Sequence, residues 1–147
     1  MITIRKATVA DLDSLVPLFD AYRQFYKQET DLEGARKFLT ERLEGEESVV
    51  FLAFYGERPA GFTQLYPIFS SVGMRRSWLL NDLYVDVVAR KKGVGERLLE
   101  EAKTWARATG ASWMMLETAV DNHLAQALYE KNGWERVKDE LFYRVYL

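Results

Sequence analysis

The chain has 147 residues, 48% hydrophobic and 14% aromatic, with a formal net charge of −2. That length suits one domain, residues 1–147, whose core needs neither disulfide nor metal. With no cysteine and one histidine, His123, a disulfide framework, a thiolate nucleophile, a cysteine zinc site and a multi-histidine metal site are excluded.

Ile2–Ala7 reads as a short strand, and Thr8-Val9-Ala10-Asp11 as a capping-box-like start. Leu12, Leu15, Val16, Phe19, Tyr22 and Tyr26 then recur at helical spacing. A second helix starts at Thr30-Asp31-Leu32-Glu33 and runs through Ala35, Leu39 and Leu43 to Gly45. Ser48–Tyr55 and Ala60–Phe69 read as strands joined by the turn Gly56–Pro59, with Pro67 weakening the second or marking a bulge. Ser70–Gly73 closes another hairpin, and Arg76–Val88 reads as a long strand. A glycine loop leads into an amphipathic helix from Gly93 to about Thr109, ended by Gly110. Ser112–Ala119 is the next expected strand. Asp121 or Asn122 caps a short helix that Gly133 stops, and Trp134–Val137 and Phe142–Leu147 are the last expected strands.

The order β-α-α-β-β-β-α-β-α-β-β contains both hairpins and strand–helix–strand crossovers. It implies an α/β (α+β) domain with one mixed, mostly antiparallel sheet flanked by helices. No basic stripe marks a nucleic-acid binder. No stretch approaches the roughly 18 apolar residues of a membrane span. Met1–Lys6 lacks the apolar region of a signal peptide, so the expected location is the cytoplasm.

The informative segment is Leu83-Tyr84-Val85-Asp86-Val87-Val88-Ala89-Arg90-Lys91-Lys92-Gly93-Val94-Gly95. A strand enters a tight loop and the loop opens a helix. The first amides of a helix have no partner inside it, and the dipole there is positive, which suits a phosphate. Gly93 and Gly95 let backbone approach an anion, and Arg90, Lys91 and Lys92 add positive charge. Many helices begin with such glycines for steric reasons alone. A nucleotide P-loop is disfavoured because no Gly-Lys-Ser/Thr follows, and a dinucleotide fingerprint because position 98 is Leu98.

Arg90-x-x-Gly93-x-Gly95 after Leu83-x-Val85 resembles the acetyl-CoA motif of the GNAT acetyltransferase superfamily. Downstream, Asn122, Ala125 and Leu128-Tyr129-Glu130-Lys131-x-Gly133-Trp134 resemble its closing motif, with Trp134 where Phe or Tyr is commoner. The order of elements agrees over essentially the whole chain. Asn81-Asp82-Leu83-Tyr84-Val85-Asp86 with Asp121-Asn122-His123 looks like a subgroup that acetylates histone tails, polyamines or small amino compounds. Val87 stands where relatives often have Pro.

The resemblance implies a GNAT fold and direct acetyl transfer from acetyl-CoA to a small-molecule or peptide amine, without a covalent enzyme intermediate. It implies that Leu83, Tyr84 and Val85 hold the pantetheine arm, with an amide near Tyr84 or Val85 polarising the thioester. It places the pyrophosphate on Arg90, Lys91, Lys92, Gly93, Val94 and Gly95, with Glu96 nearby. It also implies a gap between the long strand and Ser112–Ala119. Asn122 caps and touches the cofactor in that picture, Ala125 is small to let pantetheine pass, and Tyr129 protonates the departing thiolate.

Each role has a plainer counterpart. Tyr129 also fits packing with Leu128, and Asn122 capping alone. An alkyl ammonium of pKa about 10.4 is only about one part in a thousand neutral at pH 7.4, so its proton must be removed. Asp82, on one face with Tyr84, and Glu117 are the candidate bases; solvated or paired charges, and a water chain without a base, are the alternatives. Tyr22, Phe25 and Tyr26 line an acceptor site or belong to the core. Acidic groups beside aromatics suit an ammonium. His123 reads as a surface or capping residue. A non-catalytic acyl-CoA-binding module is the competing function, and Phe142–Leu147 leaves a homodimer open.

Overall fold

The computed structural model describes all residues from Met1 to Leu147. Its elements are β1 (Ile2–Lys6), α1 (Leu12–Phe25), α2 (Leu32–Glu44), β2 (Val49–Tyr55), β3 (Arg58–Ser70), β4 (Arg75–Val85), α3 (Val94–Ala108), β5 (Met114–Met115) and α4 (His123–Lys131). By contact density the chain divides into two units, Met1–Glu117 and Thr118–Leu147. No helix is long and apolar enough to cross a membrane.

The first unit holds one mixed sheet in the order β1-β2-β3-β4-β5. The first three pairings are antiparallel and the β4–β5 pairing is parallel. This is the mostly antiparallel α/β sheet expected from the order of elements.

Local chemistry starts each helix where the sequence places it. Thr8 and Asp11 form a capping box around the 3₁₀ turn Val9–Asp11 that leads into α1. The Asp31 side chain accepts from the Gly34 amide at the start of α2. The apolar stripes of α1 and α2 then bury Leu12, Leu15, Val16, Phe19, Ala35 and Leu39 against Val50, Leu52, Phe54, Phe62 and Tyr84 of the sheet. The opposite face takes α3, where Trp105 meets Phe51 and Trp78 with ring centroids 6.1 and 6.2 Å apart.

Four expectations need correction. First, β4 stops at Val85, not Val88, because the Asp86 carboxylate accepts from the Val87 amide and winds Val87–Ala89 into a 3₁₀ turn. Second, the strand expected over Ser112–Ala119 contracts to Met114–Met115, so Glu117 lies outside it and is exposed. Third, Pro67 neither ends β3 nor makes its irregularity. It pairs with Trp78 beyond the last β2 partner of β3, Leu65, where the second edge of the strand is open and a missing N–H is tolerated. Fourth, Trp134–Val137 and Phe142–Leu147 form no strands. Their β-branched and aromatic residues favour a pleated surface, but such preference needs a paired edge to be realised, and Phe142–Leu147 is exposed throughout.

Asp20 joins α1 to the start of α2. Its carboxylate accepts from Thr30 Oγ1 (2.6 Å), the Asp31 amide (2.8 Å) and Gln24 Nε2 (3.0 Å). Burial pushes this carboxyl up, but Thr30, the Asp31 amide, Arg23 and Gln24 together hold it below its ordinary 3.8. A depressed carboxyl contributes stability above its unfolded value and loses it as pH falls through the folded one. Asp20→Ala is therefore expected to cost about 1–3 kcal/mol in urea unfolding at neutral pH. The deficit should shrink in the same measurement below the ordinary carboxylate range.

Candidate active site

The site begins with a register shift. Gln64 of β3 pairs with Asp82, but its neighbour Leu65 pairs with Leu80, so Asn81 is an extra residue in β4. An extra residue reverses the alternation of every side chain after it. Before the bulge, Trp78 lies on the α3 face, against Trp105. After it, Tyr84 belongs to the cluster under α1 and α2, and Asp82, two residues away, shares its face.

Asp82 is thereby carried into the interior, 5% exposed, among donors. Gln64 Nε2 donates to Oδ2 at 2.7 Å and Asn81 Nδ2 to Oδ1 at 3.0 Å. The Tyr22 hydroxyl, reaching over from α1, also bonds to the carboxylate and lies 3.4 Å from the Asn81 carbonyl. Gln64 Oε1 accepts from Ser48 Oγ at 2.8 Å. Thr63 Oγ1 donates to the Asp82 carbonyl at 2.8 Å. Desolvation raises the Asp82 carboxyl above the usual range, and the bonds from Gln64, Tyr22 and Asn81 oppose that rise. The neighbouring Tyr66 phenol is pushed up to about 12 by burial and by the Asp82 charge, with Arg42 opposing. Loss of water makes this carboxylate a stronger proton acceptor than an exposed one, while the donors around it orient it and limit that rise.

The bulge also coincides with the end of a pairing. β5 meets β4 only at Trp78 and Leu79, the pairing ending two residues before Asn81. The Asp86 amide donates to the Ala60 carbonyl of β3, so Tyr84 and Asp82 aim their backbone groups the same way. Leu83 and Val85 alternate with them and aim theirs away from β3. Arg90 Nε, 3.0 Å from the Val85 carbonyl, folds the loop back on the end of the strand. Behind Val85 lies Gly61, where a Cβ would sit 2.5 Å from the Tyr84 carbonyl oxygen.

The loop then opens α3. Gly93 is its N-cap at φ 86°, a left-handed conformation that glycine adopts without strain, and no side chain caps the helix. The first α3 amides thus face outward beside the exposed Arg90, Lys91 and Lys92. Val94 is buried beneath them, and Gly95 and Glu96 are half-buried.

In the unit Thr118–Leu147, the Asn122 side chain accepts from the Ala125 amide at 3.2 Å and caps α4, as one of the two expected candidates. Ala125 and Tyr129 lie four residues apart on one helix face. Tyr129 is half-buried, with its ring 6.2 Å from that of Trp134. His123 opens α4 and is exposed.

The fold thus brings together Tyr22, Asp82 and Tyr84; the Tyr22 and Tyr84 rings are 6.2 Å apart. Tyr26 packs edge-on against Tyr22 at 5.1 Å and Phe25 against Tyr26 at 5.3 Å, leaving an aromatic run whose outer two members are exposed. Sequence reasoning passed over Ser48, Gln64, Tyr66 and Asn81. Thr63-Gln64 is the one signal available, a polar pair inside an otherwise apolar strand; the bulge itself has no local signature.

An acetyltransferase (GNAT) family model matches residues 14–134. A relative described as an uncharacterized N-acetyltransferase YhfO of Bacillus subtilis is 50% identical over 132 residues, covering 90% of this chain and 89% of the relative. A probable acetyltransferase of Haemophilus influenzae is 32% identical over 139 residues, 93% of each chain. The crystal structure of a probable acetyltransferase superposes with a TM-score of 0.95 at 44% identity, over 99% of this chain and 97% of that one. The aminoglycoside N-acetyltransferase AAC(6')-Iy, solved in complex with CoA, shares the fold at 19% identity and a TM-score of 0.82, over 99% and 95% of the two chains.

Gly61→Ala should separate β3 from β4 directly behind Val85. It is expected to destabilise the protein by about 1–3 kcal/mol in urea unfolding, as overpacking does.

Proposed function

We propose, for a chain that belongs to the GNAT acetyltransferase family, that it moves an acetyl group from acetyl-CoA to a primary amine of a small molecule or peptide. The observation that carries this is the end of β4. There β5 has already parted from it, Leu83 and Val85 aim backbone groups away from β3, and an uncapped helix start follows at once. An extended arm ending in a diphosphate suits such a place. A strand edge supplies amide and carbonyl partners, and a helix start supplies N–H donors and positive potential. Arg90, Lys91 and Lys92 add to that potential.

Bound acetyl-CoA supplies an activated thioester; the chain's own residues do the rest. The Val85 amide, which aims away from β3, stabilises negative charge on the thioester oxygen. Asp82 accepts the proton of the incoming ammonium by way of the Tyr22 hydroxyl, which bonds to it. Glu117, exposed and outside β5, has less support as the base. Tyr129 returns a proton to the departing thiolate. Its support is its motif position, one turn after Ala125 on a helix that Asn122 caps. A phenol of pKa about 10 donates uphill to a thiolate of pKa about 8.5, so the step needs alignment and a field that favours the transfer. Tyr22, Phe25 and Tyr26 offer an aromatic wall to the acceptor.

Thiol release from acetyl-CoA against a panel of polyamines, amino acids and basic peptides tests the reading. Transfer to at least one amine is expected. Tight CoA binding by calorimetry with no transfer to any amine and no hydrolysis would establish a binding module instead. Tyr129→Phe should lower kcat about ten-fold or more while changing acetyl-CoA affinity little, because general acid catalysis contributes about 10²–10⁴-fold. Gly93→Ala should do the reverse, weakening CoA binding and costing about 1–2 kcal/mol of stability through its left-handed φ.

A further inference from the structure

Six polar or charged residues are buried in this chain: Asp20, Ser48, Thr63, Gln64, Ser77 and Asp82. Four of them, Ser48, Thr63, Gln64 and Asp82, form one hydrogen-bonded set around Asp82. Gln64 is fully buried between Phe62 and Leu65, which are equally buried. An apolar side chain there would fill the strand at no desolvation cost, so the amide calls for a reason.

The chemistry of the chain of bonds gives it a direction. An ionised carboxylate only accepts, so Gln64 must turn its NH₂ toward Asp82. Its carbonyl then faces Ser48, whose hydroxyl is both donor and acceptor and here donates. Were the amide to flip, two acceptors would meet at 2.7 Å and Ser48 would face a donor. The carboxylate therefore selects the orientation of the amide, Ser48 anchors the far end of that amide, and the anchored amide holds the carboxylate in place. We infer that Ser48 and Gln64 are positioning residues of the acetyl transfer: a two-bond relay that holds Asp82 as an oriented, ionised proton acceptor inside the sheet. This inference rests on the reading of Asp82 as the base.

The groups facing Asp82 are few. From α1 comes the Tyr22 phenol, from β4 the Asn81 amide, and from β3 the Gln64 amide and the Tyr66 phenol; Arg42 of α2 acts on Tyr66. None of them is a carboxylate or an amine, and the Tyr66 phenol is pushed up to about 12, far above the range in which a carboxyl loses its proton. The relay's effect is therefore read on Asp82 alone. Desolvation raises that carboxyl and the Gln64 bond lowers it, so removing the bond moves it further up.

The test uses the full chain with ¹³C-labelled aspartate, the Asp82 carboxyl being assigned by its absence in Asp82→Asn. In Gln64→Leu the titration midpoint of that carboxyl should rise by about one pH unit, the worth of one hydrogen bond to a charged group. The acidic limb of kcat/KM, measured with the best amine of the panel, should rise with it, and the KM for acetyl-CoA should stay within about two-fold. Ser48→Ala should move both midpoints the same way by a smaller step, because the amide is still present but no longer anchored at its carbonyl. If Gln64→Leu fails to fold by thermal melt, Ser48→Ala decides alone. A carboxyl midpoint that stays put, or a kcat that falls with no movement of the acidic limb, overturns the relay. A wild type that transfers acetyl to no amine overturns the acetyltransferase reading instead, and the proton-transfer role with it.

Discussion

A strand has two faces and no choice between them, since each side chain points opposite to its neighbours. In β4 the choice is restored by one additional residue. Asn81 occupies a position with no partner in β3, and everything after it turns over. Without it, Asp82 and Tyr84 would lie on the face of Trp78, against α3. With it, they lie under α1, where Tyr22 reaches them and where Gln64 of β3, bonded to Ser48 just before β2, points. The same residue stands where β5 and β4 part company. Two properties of the site, a carboxylate in the interior and a strand edge released from its neighbour, thus share a location.

The electrostatics follow from that placement. A carboxylate moved into the sheet loses water and becomes a stronger proton acceptor, but an undirected buried charge is costly. The chain answers with neutral donors, Gln64, Asn81 and the Tyr22 hydroxyl, rather than with a cation. A lysine or arginine at that distance would have stabilised the charge and lowered its basicity at once. Amides stabilise it less, so burial still decides the direction in which its affinity for a proton moves. Asp20 shows the contrasting arrangement. It too is buried and donor-bound, but with Arg23 close by its carboxyl ends below the ordinary range, and its work is to join two helices.

The parts of this structure that were legible in the sequence are those decided within a few residues. Asp31 and Asn122 cap their own helices, and Thr8 with Asp11 caps the 3₁₀ turn that leads into α1, so three of four helix starts are readable from local hydrogen-bonding chemistry. The glycine loop and the helix it opens are equally local. What was hidden is what depends on a distant partner. Val87 and Val88 favour strands, yet the side chain one residue before them wins. Ser112–Ala119 has strand composition along its whole length, but its pairing with β4 extends over two residues only. Phe142–Leu147 has the composition of a strand and no ladder. Gln64 was passed over because its role exists only once Ser48, sixteen residues earlier, and Asp82, eighteen later, are beside it.

β3 runs on past its last β2 partner, Leu65, and from there to the Ser71–Met74 turn it is held by β4 alone. A ribbon of two strands has little cohesion of its own, and this one ends in exposed Phe69, Val72 and Met74. Its tip therefore adds little to the core and can be rewritten without disturbing it. The fold is in this way stored in the sheet centre, while the overhanging hairpin is left open to drift. A lineage can then change these residues and the protein would scarcely register it as instability.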